Sequence, residues 1–304
     1  MLVATGHGDA SLAALRDAGV TLTSDELVLA RSVDASFHPM HLLQGLLPLL
    51  NTDGPFNHLS ELGIALNLAA KVPQVLALHL ARETGAALGE VTQSDINGRF
   101  LDWVNALADE PCRRAFNIMQ ILQMERSFNA SAYAPRVVAS TLAPIQNALA
   151  AGVGTLHGIL HGGADRVGSA SQAEEFVNRC ILDGDKVMGM GHREYRVVDP
   201  RAKYAKALAK QVTMNTPHHE TYLTLEAIEA RFGERMAEKG KSLHANIELY
   251  KGLIFRVLGL PNHYFTSMFA MARLYGYTAH VIESRIDNRL IRPSARYVPC
   301  KKLM

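Results

Sequence analysis

Long segments with the apolar periodicity of helices fill most of this sequence, and they constrain its fold more than any other feature. Runs rich in Val, Ile and Thr with period-two alternation never reach the usual length of a strand. The sequence therefore predicts a mostly α protein. The predicted helices cover residues 11–18, 24–33, 38–50, 56–85, 110–126, 134–151, a segment from Pro200 onward, 219–238, 243–258, 261–274 and 277–287, and Thr23 and Glu26 have capping-box spacing before the second of them.

The size and charge of the chain limit what it can bind. Its 304 residues, 48% of them hydrophobic and 20% charged, suffice for about two domains with a large core. A net charge of +2 gives no overall field that would attract nucleic acid or anionic lipid, so anion binding has to come from local arginine clusters. This balance favours a small anionic ligand. A second domain should connect through short hinges near Gly162 and Gly163 and near Leu258 and Gly259.

The cysteines and the first residues of the chain bear on the cellular compartment of the protein. Cys112, Cys180 and Cys300 are odd in number and far apart, which favours free thiols in a reducing compartment and predicts a cytoplasmic protein. The first residues lack a basic segment followed by an apolar one, and no run of about 18 apolar residues is evident. Secretion, membrane insertion and nucleic-acid binding are therefore not expected.

The stretch from Gly189 to Arg201 (G-M-G-H-R-E-Y-R-V-V-D-P-R) departs from generic helix. Two glycines let the backbone bend or pass close to a ligand, which places His192 on a loop. His192 could polarise a carbonyl, Arg201 could clamp a carboxylate, and Arg196 could reach a phosphate or another anion. The alternative is a solvated basic face.

A second unusual stretch places His161 before two glycines at a predicted helix start. The positive end of a helix disfavours a protonated imidazole, so a neutral His161 could donate a hydrogen bond to a developing oxyanion. His157 and His161 could instead fill an apolar helix pair. Their spacing of four also fits a metal pair, but no third ligand is evident nearby, so no metal site is predicted.

A third stretch holds Glu248 between Ile247 and Leu249, followed further along by Arg273. A carboxylate in apolar surroundings can serve as a base near neutral pH. The alternative is a surface glutamate on an amphipathic helix. A further basic cluster, whose simplest interpretation is solvent exposure, contains Arg289, Arg292 and Arg296.

Taken together, these motifs resemble the citrate synthase family. The resemblance runs from about His38 to Val298, is weakest over the first 37 residues, and leads us to expect that the family's amino-terminal segment is lacking. The matching motifs are H-G-G-A from His161, G-H-R-E-Y-R-V-V-D-P-R from Gly191, N-I-E-L-Y-K-G from Asn246, F-T-S-M-F-A-M-A-R from Phe265 and D-N-R-L-I-R-P from Asp287.

The resemblance implies a nearly all-α homodimer with two domains in each chain. Residues 1–162 and 259–304 would form a large domain, and residues 163–258 a small domain that closes over the substrates. The implied reaction joins acetyl-CoA, a co-substrate and not a tightly bound cofactor, to a 2-oxo diacid. The implied roles are thioester binding for His161, carbonyl polarisation for His192, carboxylate binding for Arg201 and Arg273, a contact to the neighbouring subunit's site for Arg292, and contacts to CoA for Arg196, Val187, Gly189 and Gly191.

Two departures from the family pattern bear on activity. The family's catalytic base is typically an aspartate where this chain has Glu248, and a displacement of about 1 Å can cost on the order of 100-fold in rate unless the backbone compensates. Gln123 and Arg126 replace two histidines, and a fixed charge at Arg126 would suit an acceptor more anionic than oxaloacetate, such as phosphonopyruvate. Smaller departures are Ile159, Asp165 and Ser294.

Three functions remain open from the sequence. The first is condensation of acetyl-CoA with oxaloacetate, and the second is the same chemistry with a more anionic acceptor, as in a 2-phosphonomethylmalate synthase. The third is a catalytically silent relative that binds CoA esters or the oxo acid. A lyase that cleaves citryl-CoA is a weaker reading.

Overall fold

The computed structural model describes residues 20–106, 108–158, 173–185, 187, 189–191 and 198–296. Within these ranges the chain forms twelve α-helices and no β-strand, which confirms the predicted mostly α fold. The helices are α1 (Ser24–Ser32), α2 (Pro39–Leu46), α3 (Glu61–Thr84), α4 (Ile96–Trp103), α5 (Glu110–Gln123), α6 (Ala130–Ala139), α7 (Ile145–Leu156), α8 (Ala173–Asp183), α9 (Ala202–Thr213), α10 (His219–Glu238), α11 (Glu248–Val257) and α12 (Phe265–Ile286).

The capping box before α1 is confirmed. The Thr23 hydroxyl accepts from the Glu26 N–H at 3.3 Å, and the Glu26 carboxylate accepts from the Thr23 N–H at 2.8 Å. Glu26 also pairs with the buried Lys71 of α3 at 2.8 Å, and it accepts from the Asn51 N–H at 2.7 Å. A carboxylate this deeply buried is stable because each of its oxygens has donors.

Helix α3 is the long central helix, and its middle is buried almost all round. The sequence predicts no membrane-spanning segment, whereas α3 is long and apolar enough to cross a membrane. However, 83% of its most apolar window is buried inside the protein, which is the arrangement of a core helix.

Helix α12 is continuous where the sequence predicts a break near residue 275. Gly276 lies in the predicted gap between residues 274 and 277, and it serves close packing. A Cβ there would lie 2.1 Å from the carbonyl oxygen of Met124, directly after α5. Glycine therefore lets α12 approach the end of α5, and that contact stabilises the helix more than the glycine weakens it.

The predicted helix over residues 134–151 is two helices, α6 and α7. Asn129 caps α6 by accepting from the Ala132 N–H at 3.0 Å, and the turn between the two helices holds Leu142 at a φ of +62°. The sequence pattern missed α4 and α8 but gave α10 with its observed bounds. The predicted helix over residues 11–18 lies outside the described residues.

The helices enclose a large core, a smaller core and a third cluster of four residues, Val20, Phe56, Leu66 and Ala70. The smaller core is built from α8, α10 and Val187, and its members are Val177, Cys180, Val187, Ile228, Phe232 and Met236. All of them lie within residues 163–258, the range expected for a small domain. The domain boundaries themselves stay a prediction. Cys112 and Cys180 are buried free thiols, and Cys300 lies outside the described residues.

Candidate active site

Two arginines from distant segments meet at the carboxyl end of α5. Arg201 Nη1 donates to the Leu122 carbonyl oxygen at 3.3 Å, and Arg273 Nε donates to the Gln123 carbonyl oxygen at 2.8 Å. The last carbonyls of a helix lack partners within it and form the negative end of its dipole. The end of α5 therefore orients both guanidinium groups.

Arg201 is held on its other side by Asp199. Its Nε and Nη2 donate to the two carboxylate oxygens of Asp199 at 3.1 and 2.9 Å, and the Asp199 side chain is only 1% exposed. Burial by itself raises the pKa of Asp199, but the hydrogen bonds from Arg201 outweigh it, so the pKa lies below its ordinary value. Arg126 acts in the same direction, which places a third guanidinium within electrostatic range of this carboxylate.

Arg273 lies within α12 and is 2% exposed. Its guanidinium lies 4.6 Å from the centroid of the Phe269 ring, and its buried Nη1 has no hydrogen-bond partner among the described residues. Burial lowers the pKa of Arg273 and Arg201 adds to that effect, whereas Tyr277, Glu125 and Glu248 oppose it. A buried guanidinium nitrogen without an acceptor is suited to bind an oxygen of an anionic ligand.

Glu248 is the first residue of α11 and lies within electrostatic range of Arg273. Its N–H donates to the Asn246 side-chain oxygen at 2.8 Å, and the Asn246 amide donates to the Gly191 carbonyl oxygen at 2.8 Å. Met190 and Ala245 form a short antiparallel bridge between the same two segments. The start of α11 is thereby fixed against residues 189–191. The Glu248 carboxylate accepts a hydrogen bond from Lys251 and is 22% exposed.

Gly189 and Gly191 are required by this pairing. Their φ angles are +81° and +79°, and a Cβ on Gly189 would lie 2.8 Å from the Leu249 Cα. The sequence left open whether these glycines serve a bend or a ligand, and the bend against α11 is sufficient to explain them. The side chain of Val187 is buried in the smaller core. Contacts of Val187, Gly189 and Gly191 with CoA stay a prediction.

The other sequence-predicted residues lie elsewhere. Arg292 is exposed on the segment after α12, whose Ile291 N–H donates to the Ser140 hydroxyl at 3.1 Å. His161, His192 and Arg196 lie outside the described residues. The described part of the site thus brings together Arg126, Arg201, Arg273 and Glu248.

Sequence reasoning gave no role to Asp199, Lys251 and Phe269. The Glu248 and Lys251 pair has the three-residue spacing of a helical ion pair, so that signal was present. Asp199 precedes Arg201 by two residues, but a local pattern cannot indicate a bidentate contact. Phe269 could be found only from the structure, in which Lys251 of α11 lies over its ring.

A separate group of histidines lies where α2 begins and α7 ends. His38 caps α2 by accepting from the Met40 N–H at 3.2 Å, its ring stacks on His157 at 4.6 Å, and His41 and His263 lie beside them. Burial lowers the pKa of His38 to about 4, and the neighbouring histidines add to the shift. Among the described residues no group of three or more His, Cys, Asp or Glu is arranged to hold a metal ion. The alternative metal pair of His157 with His161 cannot be placed, because His161 is not described.

Comparison with solved structures shows the class of protein to which the fold belongs. The chain superposes on citrate synthase from Thermotoga maritima with a TM-score of 0.80 at 29% identity, covering 93% of this chain and 77% of that one. It superposes on Thermoplasma acidophilum citrate synthase, solved in a ternary complex with carboxymethyl coenzyme A and oxaloacetate, with a TM-score of 0.81 at 25% identity, covering 93% and 78%. The fold is that of the all-helical citrate synthases.

Sequence comparison then gives the family. The family model for the citrate synthase C-terminal domain matches residues 10–294, so the match includes part of the first 37 residues, where the resemblance was weakest. Citrate synthase of Synechocystis sp. is 34% identical over 241 residues, covering 76% of this chain and 60% of the relative. The 2-methylcitrate synthase of Shewanella oneidensis is 31% identical over 278 residues, covering 88% and 73%. The chain belongs to the citrate synthase family.

Proposed function

We propose that this protein condenses acetyl-CoA with a 2-oxo diacid, oxaloacetate first among the candidates, and releases CoA. The observation that carries the proposal is the buried Arg273, whose Nη1 has no partner among the described residues and which lies within electrostatic range of both Arg201 and Glu248. This arrangement puts an anion site beside a carboxylate that can take a proton. The names of the relatives agree with that chemistry.

The chemistry requires strong stabilisation of an enolate. A thioester α-proton is more than about 10 pKa units less acidic than a carboxylic acid, so unaided transfer is uphill by more than about 14 kcal/mol. In the proposed mechanism Glu248 takes that proton while the C–H electron pair moves onto the thioester oxygen, which His161 stabilises by donating a hydrogen bond. The enol carbon then attacks the 2-oxo carbonyl carbon, which His192 polarises. Hydrolysis of the new thioester releases CoA.

The proposed mechanism assigns acceptor binding to the end of α5. Arg201, directly before α9, and Arg273 of α12 both place planar guanidinium groups at this site, and such groups match carboxylate geometry. Asp199 orients Arg201, because it holds two of the three guanidinium nitrogens. Arg273 Nη1, which has no partner among the described residues, is available to a carboxylate of the acceptor.

The test is the release of free CoA thiol by the purified full chain. Acetyl-CoA and propionyl-CoA are each offered with oxaloacetate, phosphonopyruvate, pyruvate and 2-oxoglutarate in separate reactions. We expect turnover with oxaloacetate or a more anionic acceptor. Silence with every pair, combined with calorimetric binding of an acyl-CoA or an oxo acid, would reject the proposal in favour of a silent binding protein.

A more anionic acceptor is a second candidate, and Arg126 favours it. Arg126 adds a third guanidinium to the surroundings of Asp199 and Arg201. If this charge selects a phosphonate, Arg126→His should shift the ratio of kcat/KM values toward oxaloacetate by about 10-fold, since one charged hydrogen bond is worth about 1.5–3 kcal/mol. An unchanged ratio would reject the selection.

We further propose that the protein acts as a homodimer. The exposed side chains of Leu142, Ile286 and Leu290 lie on two segments joined by a hydrogen bond from the Asn288 amide to the Ser140 carbonyl oxygen, and they form an apolar surface that a second copy would cover. Arg292 lies on the same segment. From there it would reach the neighbouring subunit's site.

Mixing inactive variants tests the shared site. If Glu248 and Arg292 serve one site from different subunits, Arg292→Ala and Glu248→Gln are each inactive alone. After unfolding and refolding together, they should recover about a quarter of the wild-type activity, because half of the dimers are mixed and each has one intact site. No recovery, with mixed dimers present, would contradict the shared site.

A further inference from the structure

The geometry points to Lys251 as a positioning residue that fixes the Glu248 carboxylate. This inference rests on the proposed function of Glu248 as the base. It assigns to Lys251 the control of which carboxylate oxygen takes the proton.

The contacts of Lys251 are few and specific. Its side chain is only 6% exposed, its Nζ donates to Glu248 Oε2, and Nζ lies 4.6 Å from the centroid of the Phe269 ring. A buried ammonium is costly unless it is paired, and the Glu248 carboxylate is the acceptor that compensates it. The face of an aromatic ring adds a second favourable contact for the cation.

The pairing with Oε2 distinguishes the two carboxylate oxygens. Since Oε2 accepts from Lys251, Oε1 is the oxygen that takes the substrate proton. Glutamate has one more rotatable bond than aspartate, and an ammonium one helical turn away restricts that freedom. Lys251 therefore supplies the compensation that the longer side chain of Glu248 needs if it is to act as a precise base.

Phe269 links the base to the anion site. The same ring that contacts Lys251 also lies 4.6 Å from the Arg273 guanidinium. Both cations are thus positioned by one side chain of α12. A displacement of Lys251 would change the position of the Glu248 carboxylate and would leave the hydrogen bond from Arg273 to the end of α5 in place.

Lys251 acts through the position of the base, so its loss should lower kcat and leave KM for the acceptor nearly unchanged. A lysine that served packing alone would not separate kcat from KM in this way.

The experiment compares Lys251→Met and Lys251→Arg with the wild type. Methionine keeps much of the apolar volume and removes the charge, and arginine keeps the charge. The control is Lys203→Met, because Lys203 also lies over an aromatic ring, Tyr204, at 4.9 Å but is exposed. Values of kcat and KM are measured from pH 5 to 9 with the acceptor that gives turnover, and circular dichroism confirms folding.

For Lys251→Met we expect kcat to fall at least about 10-fold and KM for the acceptor to change less than about 3-fold. Lys251→Arg should recover kcat to within about 3-fold of the wild type, and Lys203→Met should match the wild type throughout. A wild-type kcat in Lys251→Met, or a KM that rises as much as kcat falls, would overturn the inference. If Lys251→Met does not fold, a loss of at least about 10-fold in kcat for folded Lys251→Arg overturns it as well. A wild type without any turnover would instead reject the proposed function.

Discussion

The group at the end of α5 and the histidine group at the start of α2 both collect ionisable side chains from separate helices, but they hold them in opposite charge states. At the end of α5 the Asp199 carboxylate stays ionised because Arg201 donates to both its oxygens. At the start of α2, burial and like neighbours favour neutral His38, whose pKa falls to about 4. One region compensates its charges by pairing, and the other keeps the His38 imidazole neutral.

The difference in charge state indicates which region is suited to bind an anion. A neutral imidazole group such as the one around His38 has no fixed charge to offer near pH 7. Arginines remain charged when buried, and Arg273 retains a donor without a partner among the described residues. The end of α5 is therefore better suited to bind an anionic ligand than the histidine group is.

The largest effect should follow from Glu248→Gln. Removing the base should lower kcat by at least about 100-fold with the fold intact, since general bases contribute about 10²–10⁴-fold. The measurement is CoA thiol release, and the matched control is Glu234→Gln on the exposed face of α10. Loss of less than about 10-fold in Glu248→Gln would place the base elsewhere.

A smaller effect should follow from Asp199→Asn, which leaves the buried Arg201 without its charged partner. We expect a loss of about 1–3 kcal/mol in the free energy of unfolding at pH 7, read from denaturant melts. Because the folded pKa of Asp199 lies below its ordinary 3.8, this stability is present above pH 3.8 and is lost as the pH falls through the lower folded value. The variant and the wild type should therefore converge below pH 3.8, and an equal gap at acid and neutral pH would contradict the paired-charge account.

The smallest effect should come from His38→Asn, which keeps a good capping residue and removes the imidazole. Since the folded pKa of His38 is about 4 against an ordinary 6.5, the unfolded chain takes up the proton first, and wild-type stability falls between pH 6.5 and 4. The drop in Tm over that window should be smaller by about 2 °C in the variant. The exposed His58→Asn serves as the control, and equal drops in His38→Asn and the wild type would reject a neutral histidine group.

The sequence accounts for local structure better than for the site. The start of α1 is signalled by Thr23 and Glu26, which are close neighbours in the chain. The bounds of α10 likewise follow from a local pattern. The continuity of α12 through Gly276 is not evident from the sequence, because the backbone of Met124 that packs against this glycine lies about 150 residues away. The meeting of Arg201 with Arg273 is equally nonlocal. Only the resemblance to a family brought those two arginines together before the structure did.

The most direct test of the account is calorimetric titration of oxaloacetate into the wild type, Arg273→Lys and His38→Asn. Lysine keeps the charge but loses the planar fork and its bond to the end of α5. We predict that Kd rises at least about 10-fold in Arg273→Lys, which is 1.4 kcal/mol or more, and stays at the wild-type value in His38→Asn. Equal affinity in the wild type and in folded Arg273→Lys would show that the anion does not bind at the end of α5.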